Sequence, residues 1–118
     1  MSLADLLTYE NLGNVELPPL APKATSLDGQ SESAVVLWES HDSKVQMGVW
    51  ECTPGRFDTQ HKDNSEICHI IEGEVELLRN DGEACRLGPG DALVLPRGWT
   101  GQWNVIKHVR KMWVVQYD

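Results

Sequence analysis

Two charged residues stand where strand alternation puts apolar ones, and their types suit proton transfer or the grip of a small polar ligand. In the run 66–71, Glu66 shares a face with Cys68 and Ile70. In the last run of the chain, Val109, Lys111, Trp113, Val115 and Tyr117 form the more apolar face, and Lys111 lies on it. A charge at a core-facing strand position is costly unless it is paired or functional. The opposite faces hold Ile67, His69 and Ile71, and Arg110, Met112, Val114 and Gln116, so alternation alone does not force Glu66 inward. Other chemistry finds less support. Cys68 has no partner His assured on its own face and reads as a small core residue. No Gly-x-Ser-x-Gly nucleophile turn occurs, and no glycine-rich loop precedes a helix. His41 and His108 fall in turns. Glu72, Glu74 and Glu76 alternate with Gly73, Val75 and Leu77, which reads as a solvated strand face whose other side meets the core.

The elements that must position these groups are short strands. From Ala34 onward, β-rich runs recur between Gly, Pro, Asp and Asn: 35–39, 44–52, 57–61, 66–71, 74–79, 84–87, 91–95, 101–106 and 109–117. Asn80-Asp81-Gly82 is a hairpin turn, because Asp-Gly supplies the positive φ angles such turns need. No internal repeat occurs, and helical periodicity is absent after residue 10. Ahead of the strands, Ser2-Leu3-Ala4-Asp5 resembles a capping box that opens a short helix, with Leu3, Leu6 and Leu7 on one face. From 16 to 33 the chain is rich in Pro, Ser and Gly and reads as an extended arm laid over the surface or over a partner. The expected organisation is an arm at 1–33 and an all-β barrel at 34–118.

Composition narrows the function. The chain has 118 residues, enough for one core and too few for two. Eighteen acidic residues against ten Lys and Arg give a net charge of −8, which argues against a nucleic-acid binder and against docking on anionic lipid. No apolar run approaches the ~20 residues of a membrane span, and the first ten residues lack the basic start and apolar stretch of a signal peptide. Cys52, Cys68 and Cys85 are odd in number and widely spaced, so reduced, mostly buried thiols in a cytoplasmic protein are expected. Five of the eight aromatics are Trp, which suggests a packed barrel or a lined pocket.

Two stretches carry a family resemblance. The first runs Ser65-Glu66-Ile67-Cys68-His69-Ile70-Ile71-Glu72-Gly73-Glu74-Val75. The second runs Gly88-Pro89-Gly90-Asp91-Ala92-Leu93-Val94-Leu95-Pro96-Arg97-Gly98-Trp99. Together they resemble the two signature motifs of the cupin (RmlC-like) superfamily. In the second, Gly88 and Gly90 allow a tight turn, Asp91 can bond back to turn amides, and Pro96 and Gly98 end the strand. Gly48-Val49-Trp50-Glu51, Pro54-Gly55-Arg56, Gly101-Gln102-Trp103-Asn104-Val105 and Val109-Arg110-Lys111 are similar to the branch with the ureidoglycine aminohydrolase cupin domain and the ethanolamine-utilisation cupins. The resemblance covers roughly 45–117. It implies an all-β, jelly-roll type barrel, commonly a dimer, with a ligand cavity inside one end.

The same resemblance implies a site and shows where the sequence departs from it. Metal-binding cupins present His-x-His, a Glu, and a later His. Here those positions fall on Thr59, His61, Glu66 and Gly101, and a one-residue shift puts Gln60 and Lys62 in the first pair instead. At most His61 and Glu66 remain, fewer than the three protein ligands of a catalytic metal site. A metal at full occupancy is therefore not expected, with manganese, iron, nickel or zinc as the alternative. His69 falls where relatives often carry Tyr, which suggests aromatic packing. Two functions stay open. One is an enzyme acting on a small nitrogen-containing metabolite such as a ureido compound, as the aminohydrolase does, with Glu66 as acid/base or metal ligand and His61 beside it. The other is a metal-free module that binds a small polar ligand or simply dimerises, with Glu66 and Lys111 paired in place of the metal. A weaker third reading is an accessory domain with a protein partner. The pocket residues expected are Trp50, Cys68, Gly101 and Trp103, and the assembly expected is a homodimer whose arm or first strand crosses to the partner.

Overall fold

The computed structural model describes residues 4–118. Eight strands form the molecule: β1 (Ala21–Pro22), β2 (Ser31–Glu39), β3 (Val45–Cys52), β4 (Gly55–Gln60), β5 (Asn64–Leu78), β6 (Ala84–Leu87), β7 (Ala92–Leu95) and β8 (Thr100–Tyr117). The expected runs at 66–71 and 74–79 are one strand, β5, and those at 101–106 and 109–117 are one strand, β8. These two pair antiparallel along their length, from Asn64 opposite Tyr117 to Leu77 opposite Trp103. Their middles bend, with register shifts from Ile70 to Val75. Gly73 permits the bend. It has φ +90°, and a Cβ there would sit 2.2 Å from the His108 carbonyl oxygen, a conformation and a contact that only glycine tolerates.

Because β5 and β8 bend, each serves both layers of the barrel. The carboxy-terminal half of β8 pairs with β3, which continues into β2 and β1. The first half of β8 pairs with β4. On the other side, β5 takes β7 against its first half and β6 against its last residues. The layers close on Trp50, Phe57, Cys68, Ile70, Val75, Leu77, Leu95, Trp103, Val105 and Val109. Gly48 lets β2 and β3 lie close to Trp113, since a Cβ there would be 2.0 Å from the Val35 carbonyl oxygen.

The turns follow their residues. Gly82, at φ +87°, closes the β5–β6 hairpin with its N–H donating to the Arg79 carbonyl at 2.8 Å. Asp91 Oδ2 accepts from the Gly88 N–H at 2.9 Å, the back-bond expected of that motif. The expected surface face of β5 is also found: Glu74 and Glu76 meet Arg86 at 3.2 and 3.5 Å while Val75 and Leu77 are buried.

The amino-terminal segment differs from expectation. Ser2 and Leu3 lie outside the described residues, and residues 4–11 form no helix; only a single 3-10 turn, Leu12–Asn14, follows. Leu6 and Leu7 are 81% and 59% exposed, and so short a helix cannot hold without an apolar face to bury. From Leu12 on, the arm is fixed to its own barrel. Arg110 donates to the Leu12 and Val15 carbonyls at 3.0 and 2.8 Å while pairing with Glu51, and the Ser33 hydroxyl donates to the Pro18 carbonyl at 2.6 Å. β2 itself begins at Ser31, ahead of the change of texture at Ala34. Among the described residues no helix is long and apolar enough to cross a membrane.

Candidate functional site

Inside one end of the barrel, β3, β5 and β8 bring Trp50, Glu66 and Lys111 to one place. Trp50 and Lys111 are cross-strand partners, as are Ile70 and Lys111. Lys111 Nζ lies 2.6 Å from Glu66 Oε2, with side-chain exposures of only 9% and 13%. The Cys68 thiol donates to the same Glu66 oxygen at 2.9 Å, and Lys111 Nζ lies 3.5 Å from Cys68 Sγ. The ammonium also lies over two indole faces set steeply to one another, Trp50 at 4.6 Å and Trp103 at 4.5 Å. Each such contact contributes about 0.5–2 kcal/mol to a desolvated cation. Phe57 stacks on Trp103 at 5.8 Å, and Trp50 meets both rings edge-on.

The titration of these groups follows from that geometry. Burial alone would raise the Glu66 carboxyl, but the Lys111 charge and the hydrogen bonds from Cys68 and Lys111 outweigh it and hold the carboxyl below its usual range. For Lys111 burial works against the charge, and its interactions with Cys68 and Glu66, hydrogen bonds included, reverse the sign, leaving the amine above its usual value. Burial pushes the Cys68 thiol up to about 12, so it is a thiol at neutral pH and no nucleophile. Cys52 is likewise pushed up to about 11, again by burial first.

A cavity of about 250 Å³ opens onto this pair, with Trp50, Trp103, Phe57, Trp113, His61 and Tyr117 among its walls. Glu66 Oε2 is fully engaged. Oε1 accepts from no protein donor; since no enclosed side-chain polar atom among the described residues lacks a partner, Oε1 opens onto the cavity. His61 is 6% exposed, and its Nδ1 lies 2.7 Å from Asn64 Oδ1. An amide oxygen only accepts, so Nδ1 carries a proton and donates in this contact. Both His61 and Glu66 line the cavity. Cys68 and Gly101, expected in the pocket wall, are set back from it. Cys68 is fully buried beneath Lys111, and Gly101 is covered by the Trp99 ring, 2.5 Å from where a Cβ would stand.

A second ion pair, not anticipated from the sequence, supports the wall. Lys23, carried in by the arm, lies 4.3 Å from the Phe57 ring centroid and bonds Glu32 Oε1 at 2.9 Å. The Trp50 indole N–H donates to the same oxygen at 2.8 Å. Burial opposes ionisation of Glu32, and the bonds from Trp50 and Lys23 prevail, so its carboxyl lies below the usual range. Glu32 shares strand parity with Ala34, which lines the cavity, and that parity was a usable signal. Thr59, Gln46 and Tyr117 add neutral polar groups.

The residues do not fit a cupin metal centre. Among the described residues no three His, Cys, Asp or Glu side chains converge as a ligand set. The Lys111 ammonium holds one Glu66 oxygen at 2.6 Å and would repel a cation placed there. His69 lies exposed on the outer face, in register with Ala92 and Met112, rather than packed inside. Of the three thiols, none of which is bonded to another, Cys85 is half-buried rather than enclosed, because β6 lies at a sheet edge.

Comparisons with known proteins fit this architecture. The family model described as the EutQ-like cupin domain matches residues 39–113. Among solved structures, a putative ethanolamine utilization protein Q of Salmonella typhimurium LT2 superposes with a TM-score of 0.68 at 19% identity, over 83% of this chain and 78% of that one. The Clostridium difficile EutQ protein gives 0.69 at 20% identity, over 90% and 83%. A Pseudomonas syringae protein of unknown function, from the DUF861 family, gives 0.76 at 24% identity, over 87% of this chain and 45% of that one. No curated protein matches the sequence.

Proposed function

The chain belongs to the EutQ-like cupin family, and on that premise we propose that its barrel cavity binds a small, neutral, nitrogen-containing metabolite that donates N–H bonds, a ureido or amide compound. The observation that carries the reading is the unsatisfied acceptor on the cavity wall, Glu66 Oε1, in a cavity that the His61 ring also lines. A group that offers N–H donors satisfies it, and an unfilled acceptor beside aromatic walls disfavours a ligand that lacks them. Charge sets the rest. The two cations at the wall, Lys23 and Lys111, already have carboxylate partners, so the site is electrically balanced and favours a neutral guest. Planar amides also stack well on the exposed parts of Trp50 and Trp113. The volume of about 250 Å³ lies below the ~300–1,000 Å³ usual for drug-sized ligands.

Glu66 and Lys111 act here as a fixed pair: Lys111 orients the carboxylate so that one oxygen faces the guest. The three unpaired thiols suit a reducing, cytoplasmic setting. The exposed apolar segment 4–11 suits a homodimer. Tryptophan fluorescence tests the binding. Titration with ethylurea or propionamide is expected to give a saturable change that ethylammonium and propionate do not. Equal or better binding of propionate would overturn the reading, as would no response to either neutral amide.

A further inference from the structure

A second groove, walled by apolar side chains and open backbone, lies at the seam between β6 and β7, with Leu95 shared between it and the cavity. Its volume is about 330 Å³, and Leu78, Leu87, Leu93, Val94 and Trp99 are among its walls. Leu78 and Val94 are 59% and 62% exposed there. One charge sits in it: the Arg79 guanidinium, whose only side-chain partner among the described residues is the Cys85 sulfur at 3.9 Å. β6 ends its layer of the sheet and pairs only with β5, so its outer backbone groups are unpaired. A groove with apolar side chains beside an open edge and an uncompensated cation is a place for an extended segment that carries both acidic and apolar residues.

The chain carries such a segment. Residues 4–11 read Ala-Asp-Leu-Leu-Thr-Tyr-Glu-Asn. All are exposed, including Leu6, Leu7 and Tyr9. Asp5 and Glu10 flank the apolar core of the segment, and neither has an ion-pair partner among the described residues. Eight extended residues span roughly 26 Å. The molecule measures 53 Å along its long axis against 29 and 26 Å across, consistent with an arm reaching clear of the barrel. Beyond Leu12 the arm is clamped to its own outer face by Arg110, so residues 4–11 start from a fixed point and lead away from their own body.

We infer that residues 4–11 of one protomer seat in the β6–β7 groove of a second copy, Leu6, Leu7 and Tyr9 filling the apolar walls and Asp5 or Glu10 meeting Arg79. Twofold symmetry gives two exchanged arms and two filled grooves per dimer. This specifies the homodimer suggested above and is independent of what the cavity binds.

Cys85, on the groove wall, reports the contact directly. In the full chain carrying Leu7→Cys, mild diamide oxidation is expected to give a disulfide-linked dimer whose tryptic map joins position 7 to Cys85. Cys85→Ser should abolish the link. A bridge within one chain would overturn the inference, as would absence of any bridge in a sample that light scattering shows to be dimeric; the second result leaves the dimer itself standing. A monomer at micromolar concentration overturns both. A charge swap gives a second reading that needs no new cysteine. Arg79→Glu should weaken dimerisation at least tenfold, and adding Asp5→Arg with Glu10→Arg should recover it. Unchanged dimer affinity in Arg79→Glu would also sink the exchange.

Discussion

Replacing Lys111 by Met removes the ammonium that lies 2.6 Å from Glu66 and leaves the carboxylate among Cys68, Trp50 and Trp103. The partners are 9% and 13% exposed at their side chains, so solvent reaches the stranded charge only through the Glu66 oxygen that faces the cavity. Breaking a buried pair in this way costs about 3–5 kcal/mol, although the intact pair has a net worth near zero once desolvation is counted. For a domain of this size, between those that shift about 4–8 °C and about 2–4 °C per kcal/mol, the melting temperature should fall by roughly 10–25 °C at pH 8. The sign with pH follows from Glu66. In the natural protein its folded pKa is depressed; the stability this brings is present above the unfolded value of about 4.3 and is lost as pH falls through the folded value. In Lys111→Met the same carboxyl is raised by burial, so the native state takes up a proton more readily than the unfolded chain. The deficit should then shrink between pH 8 and pH 5. Glu66→Gln with Lys111→Met together should recover most of the loss, because no buried charge remains. Calorimetric or circular-dichroism melts across that range read all three effects. A single variant that melts within about 2 °C of the parent, or a deficit that does not change with pH, would refute the buried-pair argument.

Other expectations follow from single contacts. A bulky maleimide in native buffer at pH 7 should label Cys85 first and spare Cys52 and Cys68, which are fully buried with thiols pushed up to about 11 and about 12; equal labelling of all three, read by mass spectrometry, would be contrary. Gly73→Ala should destabilise by several kcal/mol in urea melts, because its φ is +90° and a Cβ there would sit 2.2 Å from the His108 carbonyl oxygen; a loss under about 1 kcal/mol would contradict the bend assigned to it. Trp50→Phe should cost about 1–3 kcal/mol by leaving Glu32 short of a donor, and a silent substitution would mean that bond does not hold the second ion pair.

The sequence was informative where chemistry is local. The Asp-Gly hairpin, the Gly-Pro-Gly-Asp turn and the parity that puts Lys111 on the apolar face of its strand are each written within a few residues, and each is found, whereas alternation left the side of Glu66 open and only the family resemblance turned it inward. The union of separate runs into β5 and β8 was not legible. Gly73, and Lys107 with His108, look like breaks in one dimension, and only pairing with distant strands carries the ladder across them. Lys23 was hidden for the same reason: it stands alone in a Pro-rich arm, and its target, Phe57, is brought to it by the fold. Leu6 and Leu7 misled, since a capping pattern reports local preference and not whether a partner surface exists to fix the helix.

The central claim is that Glu66 keeps one oxygen free for an N–H donor while Lys111 holds the other. Following the Glu66 carboxylate carbon by nuclear magnetic resonance during titration with ethylurea tests it most directly. The account predicts a saturable shift of that one resonance, with the carboxylate still ionised at pH 7, and no such shift with propionate. A Glu66 resonance that stays still while ethylurea saturates the protein elsewhere, or one that shows a neutral carboxyl at pH 7, would contradict it.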